Sequence, residues 1–172
     1  MTGDLFWRVS MRKQRIYFEI FYLLLIGATF GAVMVLGILV APVIFNSEML
    51  LEQALLDHYN EGVIMAEVFR RFTYWGYSMV VVIVLFEMYE YKQLRFDAIT
   101  LASAATVIGT LLLFSAVYTP KILQMQSEGI AATLSEDFAN IHAASEIDFK
   151  ILALALIVLF VRRVMLLRMI KG

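Results

Sequence analysis

A run of 26 residues without a charge, from Ile20 to Phe45, is the feature of this sequence that most restricts its fold. As an α-helix with a rise of about 1.5 Å per residue it would be about 39 Å long, more than the roughly 30 Å of a bilayer's hydrocarbon core. Gly27 and Gly31 lie four residues apart in the run and would let a second helix approach closely. Pro42 disturbs the helix near its far end. The run therefore predicts a first membrane-spanning helix on which other helices pack.

The composition supports the same class of protein. Hydrophobic residues make up 62% of the 172 residues and charged residues 17%, whereas soluble domains have about 45–50% apolar and about 25% charged residues. In lipid, only helices and closed barrels satisfy the backbone, and the apolar runs here are continuous rather than alternating. We therefore predict an all-α integral membrane protein that forms a single membrane domain over residues 1–172.

Four apolar segments predict a four-helix bundle. Pro120 is expected to end the third segment as Pro42 ends the first, because each proline removes a helical hydrogen bond. Asn46 or Ser47 is a candidate N-cap for an amphipathic helix in the first outer segment, and Gly129 and Ser135 are expected to break the second. The predicted spans cover about residues 16–45, 62–91, 97–119 and 146–165, and the acidic outer segments cover 47–61 and 121–145.

The distribution of basic residues predicts the orientation. Ten of the 14 lysines and arginines flank the two termini and the 92–95 connection, whereas the opposite side has only Arg70, Arg71, Lys121 and Lys150. By the positive-inside rule, both termini are expected in the cytoplasm and the protein in a bacterial inner membrane. The basic start resembles that of a signal peptide, but the apolar run is too long for one, so we predict a retained first span.

Charged residues within spans two and four are the candidate functional residues. Glu67 and Arg71 share a face of span two, and His142, Glu146 and Lys150 share a face of span four. If the faces meet, Arg71 can pair with Glu146 and Lys150 with Glu67. We interpret the set as a candidate outer polar cluster, which comprises Glu67, Arg70, Arg71, His142, Glu146 and Lys150. The alternative is a group of salt-bridged or snorkelling helix ends.

A second set of charges is expected near the inner surface. Glu19 and Glu87 lie at a depth where Arg162 or Arg163 can neutralise them. Charges at this depth either snorkel to the interface or sit inside the bundle with a partner.

Small residues predict the faces on which helices pack. Gly27 and Gly31 form such a face on span one, and Ala102 and Gly109 contribute to another on span three. We expect these faces to support a homo-oligomer or the binding of a membrane protein partner.

The sequence carries no recognisable catalytic or cofactor motif. It has no Gly-rich phosphate loop, nucleophile elbow or HExxH, and no cysteine. His58 and His142 lack the spacing of metal ligands such as HxxxH. No basic patch for nucleic acid lies outside the membrane flanks. We therefore expect no enzyme activity, no cofactor, no metal and no nucleic-acid partner.

Short motifs stand at or near the span ends: Ala41-Pro42-Val43-Ile44-Phe45, Glu67-Val68-Phe69-Arg70-Arg71-Phe72, Tyr118-Thr119-Pro120-Lys121-Ile122, and Phe138 with His142 and Ser145. In this order they resemble the bacterial four-span domain-of-unknown-function family related to eukaryotic transmembrane protein 205. The resemblance covers about residues 16–165. It implies a four-helix membrane protein with an outer polar cluster and no established reaction. A more distant similarity to four-span copper-resistance domains implies His142 as a metal ligand.

The sequence is consistent with two functions. The leading hypothesis is a structural or partner-binding module that assembles in the bilayer. The alternative is a transporter or binding protein for a small solute or metal ion that uses the outer polar cluster.

Overall fold

The computed structural model describes residues 2–50, 56–95 and 97–169, and the regular structure in these residues is entirely helical. The predicted all-α class is therefore confirmed. The α-helices are α1 (Thr2–Met34), α2 (Ala41–Phe45), α3 (Ser47–Leu50), α4 (His58–Lys92), α5 (Ala98–Leu113), α6 (Thr119–Ser127), α7 (Ile130–Thr133) and α8 (Glu136–Met169). Two π-helical segments, Val35–Val40 and Phe114–Tyr118, connect α1 to α2 and α5 to α6.

Three helical stretches in the described residues are long and apolar enough to cross a membrane. They are Gln14–Phe45, His58–Lys92 and Ala98–Ser127. Helix α8 is of similar length, at 34 residues, but charged residues interrupt it. Its stretch between Lys150 and Arg162 has 11 uncharged residues, or about 17 Å of helix.

The prolines do not end the helices in the way that the sequence suggests. Pro42 and Pro120 lie at the starts of α2 and α6, directly after the π-helical segments, and α6 continues to Ser127. At the ends of these segments the N–H of Ala41 bonds to the carbonyl of Leu36, five residues earlier, and Thr119 bonds to Phe114 in the same way. In this wider turn each N–H bonds to the carbonyl five residues earlier instead of four. The proline, which has no N–H, is therefore accommodated and the helix continues past it. The helix that contains the predicted third span therefore does not end at Pro120 but continues to Ser127.

The outer segments also differ from the prediction. Helix α4 begins at His58, where the Asp57 side chain accepts a hydrogen bond from the N–H of Asn60. The two predicted caps instead act as donors, since the amide of Asn46 bonds to the Pro42 carbonyl and the hydroxyl of Ser47 bonds to Glu61. An N-cap side chain accepts a bond from a backbone N–H at the helix start, whereas these two bonds are donated by the side chains. Positions 51–55 of the predicted outer helix lie outside the described residues.

The predicted breaks in the second outer segment are confirmed. Gly129 has a φ of 99°, a conformation that side chains other than glycine rarely adopt, and it separates α6 from α7. Ser135 accepts a hydrogen bond from the N–H of Phe138 at the start of α8. Helix α8 thus begins at Glu136, ten residues before the predicted fourth span.

Helix α8 packs against α1 and α5, and α4 packs against α5. The closest approach involves Gly76 of α4, where an added Cβ would lie 2.8 Å from the Ser115 hydroxyl oxygen. The fully buried side chains of the core come from all four long helices and include Tyr22, Ile26, Met79, Ile83, Val107, Leu111, Leu152, Leu156 and Leu159.

The predicted packing faces have different surroundings. An added Cβ on Gly27 would contact Phe160 of α8 at 3.7 Å, so this glycine faces a helix of the same chain. An added Cβ on Gly31 or Gly109 would meet no described atom within 4 Å, and Ala102 is exposed. Of these predicted packing residues, only Gly27 therefore faces another helix in the described part of the chain.

Asp97 connects the start of α5 to α8. Its carboxylate accepts hydrogen bonds from the N–H and hydroxyl of Thr100, both at 3.0 Å. It also accepts two from the Arg162 guanidinium, at 2.9 and 2.6 Å. These bonds, those from Arg162 above all, hold the pKa of Asp97 well below its usual range. The residue precedes the third candidate span, so this contact fixes the end of one helix against the side of another.

We expect Asp97→Asn to lower the free energy of unfolding by about 1.5–3 kcal/mol, because asparagine retains the cap but loses the charge opposite Arg162. Folding lowers the pKa of Asp97, so its contribution is present at neutral pH and declines as the pH falls below about 3.9, the ordinary value. Thermal unfolding in detergent would measure the difference, with Glu128→Gln as an exposed control. Equal stability of Asp97→Asn and the unaltered protein at pH 7 would contradict this role.

Candidate functional site

Five charged residues from three helices form a buried group, here called the Arg163 cluster. It consists of Arg15 and Glu19 of α1, Glu87 and Glu90 of α4, and Arg163 of α8. The side chains of Glu19, Glu90 and Arg163 are 3–4% exposed. Because charges leave water only when partners surround them, this cluster strongly constrains how the three helices meet.

The Arg163 guanidinium lies at the centre of the cluster. It donates a hydrogen bond to Glu87 and lies 3.9 Å from a Glu90 oxygen and 4.0 Å from a Glu19 oxygen. Arg15 donates to Glu90 at 3.0 Å and lies 3.7 Å from Glu19. The two arginines thus share two carboxylates.

Aromatic rings enclose the same guanidinium. The Tyr22 ring stacks on Phe86 with centroids 3.8 Å apart, and its hydroxyl donates to Glu87 at 2.9 Å. The guanidinium carbon of Arg163 lies 4.9 Å from the Phe86 centroid, within the range of a cation–π contact. The cluster is therefore closed by apolar rings as well as by charge.

The inner pairing that the sequence predicts is confirmed for Arg163, which contacts both Glu19 and Glu87. Arg162 instead pairs with Asp97. Sequence reasoning assigned Arg15 to orientation alone and did not consider Glu90. The available signal was helical spacing, since Arg15 precedes Glu19 by four residues and Glu87 precedes Glu90 by three.

The predicted outer polar cluster separates into two groups. On α4, Glu67 pairs with Arg70 at 2.6 Å and with Arg71 at 2.9 Å, and these three residues are here called the Glu67 ladder. On α8, Glu146 lies 3.4 Å from His142 and 3.6 Å from Lys150. The predicted pairs of Arg71 with Glu146 and of Lys150 with Glu67 are wrong, because each charge has a partner one turn away on its own helix.

The Glu67 ladder faces outward. The side chain of Arg71 is 78% exposed and that of Glu67 is 40% exposed. Ion pairs of this kind contribute little to stability and are not enclosed by other groups. The geometry therefore favours a solvated helix face for Glu67, Arg70 and Arg71 over a binding site.

The two histidines instead border a cavity, here called the aromatic cavity. It has a volume of about 390 Å³ and lies between α2, α4, α6, α7 and α8. Its walls are mostly apolar and aromatic, with Phe45, Tyr59, Phe69, Phe114 and Phe138 supplying the rings. A volume and lining of this kind suit a small organic molecule.

A second cavity of about 690 Å³ adjoins the first between the C-terminal end of α1 and α8. The two cavities share lining residues, which are Phe45, His58, Phe69, Phe114, His142 and Ser145. Glu146 and Lys150 line the second cavity, whereas the Glu67 ladder lines neither. The structure therefore brings half of the predicted cluster to a cavity.

Polar groups in the aromatic cavity are few. The His142 ring stacks on Phe138 with centroids 6.0 Å apart, and Ser145 donates to the His142 carbonyl. Thr119 is one of the lining residues, and its hydroxyl is buried with no hydrogen-bond partner among the described residues.

The histidines do not form a metal centre with other side chains. His58 has Glu61 as its near carboxylate and His142 has Glu146, each at 3.4 Å. Within residues 2–50, 56–95 and 97–169, no group of three His, Cys, Asp or Glu side chains is arranged to hold a metal ion. An imidazole with a single carboxylate nearby lacks the ligand number of a typical protein metal site.

A family model provides the classification. The model for the Domain of unknown function (DUF4149) matches residues 24–131, which is more than half of the chain. The protein belongs to this family. The DUF4149 match extends from α1 into α7 and includes Thr119, but it excludes α8 and therefore Arg163 and His142. Comparisons with curated proteins and with solved structures gave no match.

Proposed function

We propose that this DUF4149 protein binds a small, largely apolar molecule in the aromatic cavity. The observation that carries this proposal is the cavity itself, which has a volume of about 390 Å³ and a mainly apolar and aromatic lining. Thr119 is part of that lining, and its buried hydroxyl has no partner among the described residues. A buried hydroxyl without a hydrogen bond costs free energy that a ligand would recover. The cavity wall around it is otherwise mainly apolar.

The lining indicates the chemical class of the ligand. Rings such as Phe69 and Phe138 favour a planar or chain-like apolar body. Thr119 and the edge of His142 would bind one polar end by hydrogen bonds. The ligand is therefore expected to have an apolar body and a single polar group, rather than to be a metal ion or a charged solute.

The proposed setting is a four-helix bundle in a bacterial inner membrane, with α8 as a fourth span and both termini in the cytoplasm. Tyr74, Trp75 and Tyr77 are exposed on α4, as in the aromatic belt at a membrane surface. Glu67 lies seven residues before Tyr74, about 10 Å farther out along the helix. The Glu67 ladder and the aromatic cavity would then lie outside the hydrocarbon core. Kinship with eukaryotic transmembrane protein 205 is part of this proposal.

A reporter fused at position 130, in α7, is expected to be on the outer side of the membrane, because the basic residues flank the other ends of the helices. Paired reporters that are active only in the periplasm or only in the cytoplasm would measure this. A fusion at position 93 is the opposite control. Cytoplasmic activity at position 130 would contradict the orientation and would place the cavity on the cytoplasmic side.

We expect Thr119→Val to weaken ligand binding about two- to tenfold, the loss that one neutral hydrogen bond of about 0.5–1.5 kcal/mol represents. The thermal stability of the empty protein should be unchanged or higher, since valine keeps the shape and removes an unpaired buried hydroxyl. Native mass spectrometry of gently extracted protein would report the occupancy and mass of any bound molecule.

Thr106→Val is the matched control, because Thr106 is exposed on α5 and its hydroxyl bonds to the Ala102 carbonyl. The control should retain the occupancy of the unaltered protein. Protein without any bound small mass in a series of native-lipid extractions would count against the proposal. Equal occupancy in Thr119→Val and the control would contradict a role for Thr119 in ligand binding.

Self-assembly is the second candidate function, and a specific observation favours it. An added Cβ on Gly31 or Gly109 would meet nothing within 4 Å in the described chain, and Ala102 is exposed. In the bilayer, small residues on an outer face let a second copy of the chain approach closely. We propose a homo-oligomer that packs through these faces.

Gly31→Leu and Gly109→Leu are expected to reduce the number of subunits without unfolding the chain, because the space beside each glycine is open within one protomer. Native mass spectrometry in a mild detergent would measure the subunit number. Leu85→Ala, which changes an exposed residue of α4, serves as the control. An unaltered protein that is a monomer, or variants that retain its subunit number, would contradict assembly through these faces.

A further inference from the structure

We infer that the Arg163 cluster is a proton-binding site in which Glu19 and Glu90 together hold one proton. The cluster contains three carboxylates, Glu19, Glu87 and Glu90, and two guanidinium groups, Arg15 and Arg163. If all five groups were ionised, one negative charge would have no counterpart. The inference does not depend on the aromatic cavity.

Burial makes that excess charge costly. Glu19 and Glu90 have side chains that are 4% and 3% exposed, so water cannot solvate them. A carboxylate in such a place takes up a proton rather than remain an uncompensated ion. The cluster therefore requires one more positive charge. A proton can supply this charge without the coordination shell that a metal ion needs.

Hydrogen bonding identifies the carboxyl groups that share the proton. Glu87 accepts bonds from Arg163 and from the Tyr22 hydroxyl, so both of its oxygens have donors. Glu19 has only the two longer ion-pair contacts to Arg15 and Arg163.

Two buried carboxylate oxygens, Oε2 of Glu19 and Oε1 of Glu90, have no hydrogen-bond partner among the described residues. A protonated carboxyl supplies an O–H donor, which is what these oxygens lack.

The surrounding charges are consistent with this assignment. The charged and titratable groups that face Glu19 are Arg15 and Tyr22 of its own helix, Glu87 and Glu90 of α4, and Arg163 of α8. Arg162, the neighbouring cation on α8, is bound to Asp97. The described residues thus provide no third cation to balance the third carboxylate.

Infrared spectroscopy of the protein in lipid nanodiscs tests the inference. We expect Glu19 and Glu90 together to give a carbonyl stretch of one protonated carboxyl per chain at neutral pH, apart from any band of the buried carboxyl of Asp148. Glu19→Gln should remove the band, and Glu90→Gln should do the same, because either change removes one of the two groups that share the proton. Glu67→Gln, in the exposed Glu67 ladder, should leave the band unchanged. Absence of the band in the unaltered protein, or its persistence in both Gln variants, would overturn the inference.

Thermal unfolding at neutral pH is a second, independent test of whether Glu19 is protonated. Glutamine has the shape of a protonated glutamate, so Glu19→Gln should retain the unfolding temperature of the unaltered protein. Glu87→Gln should lower it, because Arg163 then loses the charge that it is bonded to. A fall for Glu19→Gln as large as that for Glu87→Gln would mean that Glu19 is ionised, and this would also overturn the inference.

Discussion

The bond between Arg163 and Glu87 is the interaction on which the rest of this fold depends. It places a buried arginine of α8 against Glu87 of α4. The same arginine also lies 4.0 Å from Glu19 of α1. A guanidinium in such surroundings is tolerated only when carboxylates and π-faces replace water, and Glu19, Glu90 and Phe86 do so here. Because the same cation contacts two other helices, the register of α8 on α1 and α4 is set at this one level.

The opposite end of the molecule follows a different principle. There the Glu67 ladder and the pair of Glu146 with Lys150 are exposed and pair within single helices, so these charges do not hold the helices together. Packing depends instead on aromatic edge-to-face contacts, for example between Phe69 and Phe114, whose centroids are 5.1 Å apart. Rings meet at their edges and leave space between helices, and the cavities lie in that space. One end of the protein is thus fixed by ions, and the other remains hollow and apolar.

The sequence predicted the features that follow from the high cost of an unpaired charge in lipid. The helical class, the long first helix and the neutralisation of Glu19 and Glu87 by an arginine of the last helix all follow from where charges are absent and where they cannot be left alone. The sequence left open whether that arginine is Arg162 or Arg163. The outer pairs were wrong because a helical neighbour, such as Glu67 for Arg71, competes with any partner on another helix.

Two other features could not be derived from periodicity. Helix α6 continues past Pro120 because of a π-helical segment, which has no pattern in the residue types. The aromatic cavity depends on how five helices meet, and no local spacing encodes this. Thr119 was part of a recognised motif, but its unpaired hydroxyl is visible only in three dimensions.

The π-helical segments also determine which side chains line the hollow end. Each residue of an α-helix turns the chain by about 100°, and a π turn accommodates one residue more than an α turn does. If Phe114–Tyr118 became a regular α-helix, the side chains of α6 would rotate by about 100° about the helix axis. Thr119 would then leave the cavity wall and another side chain would take its place. The same local underwinding that lets Pro120 remain inside a helix thus also sets the rotational phase of the binding surface.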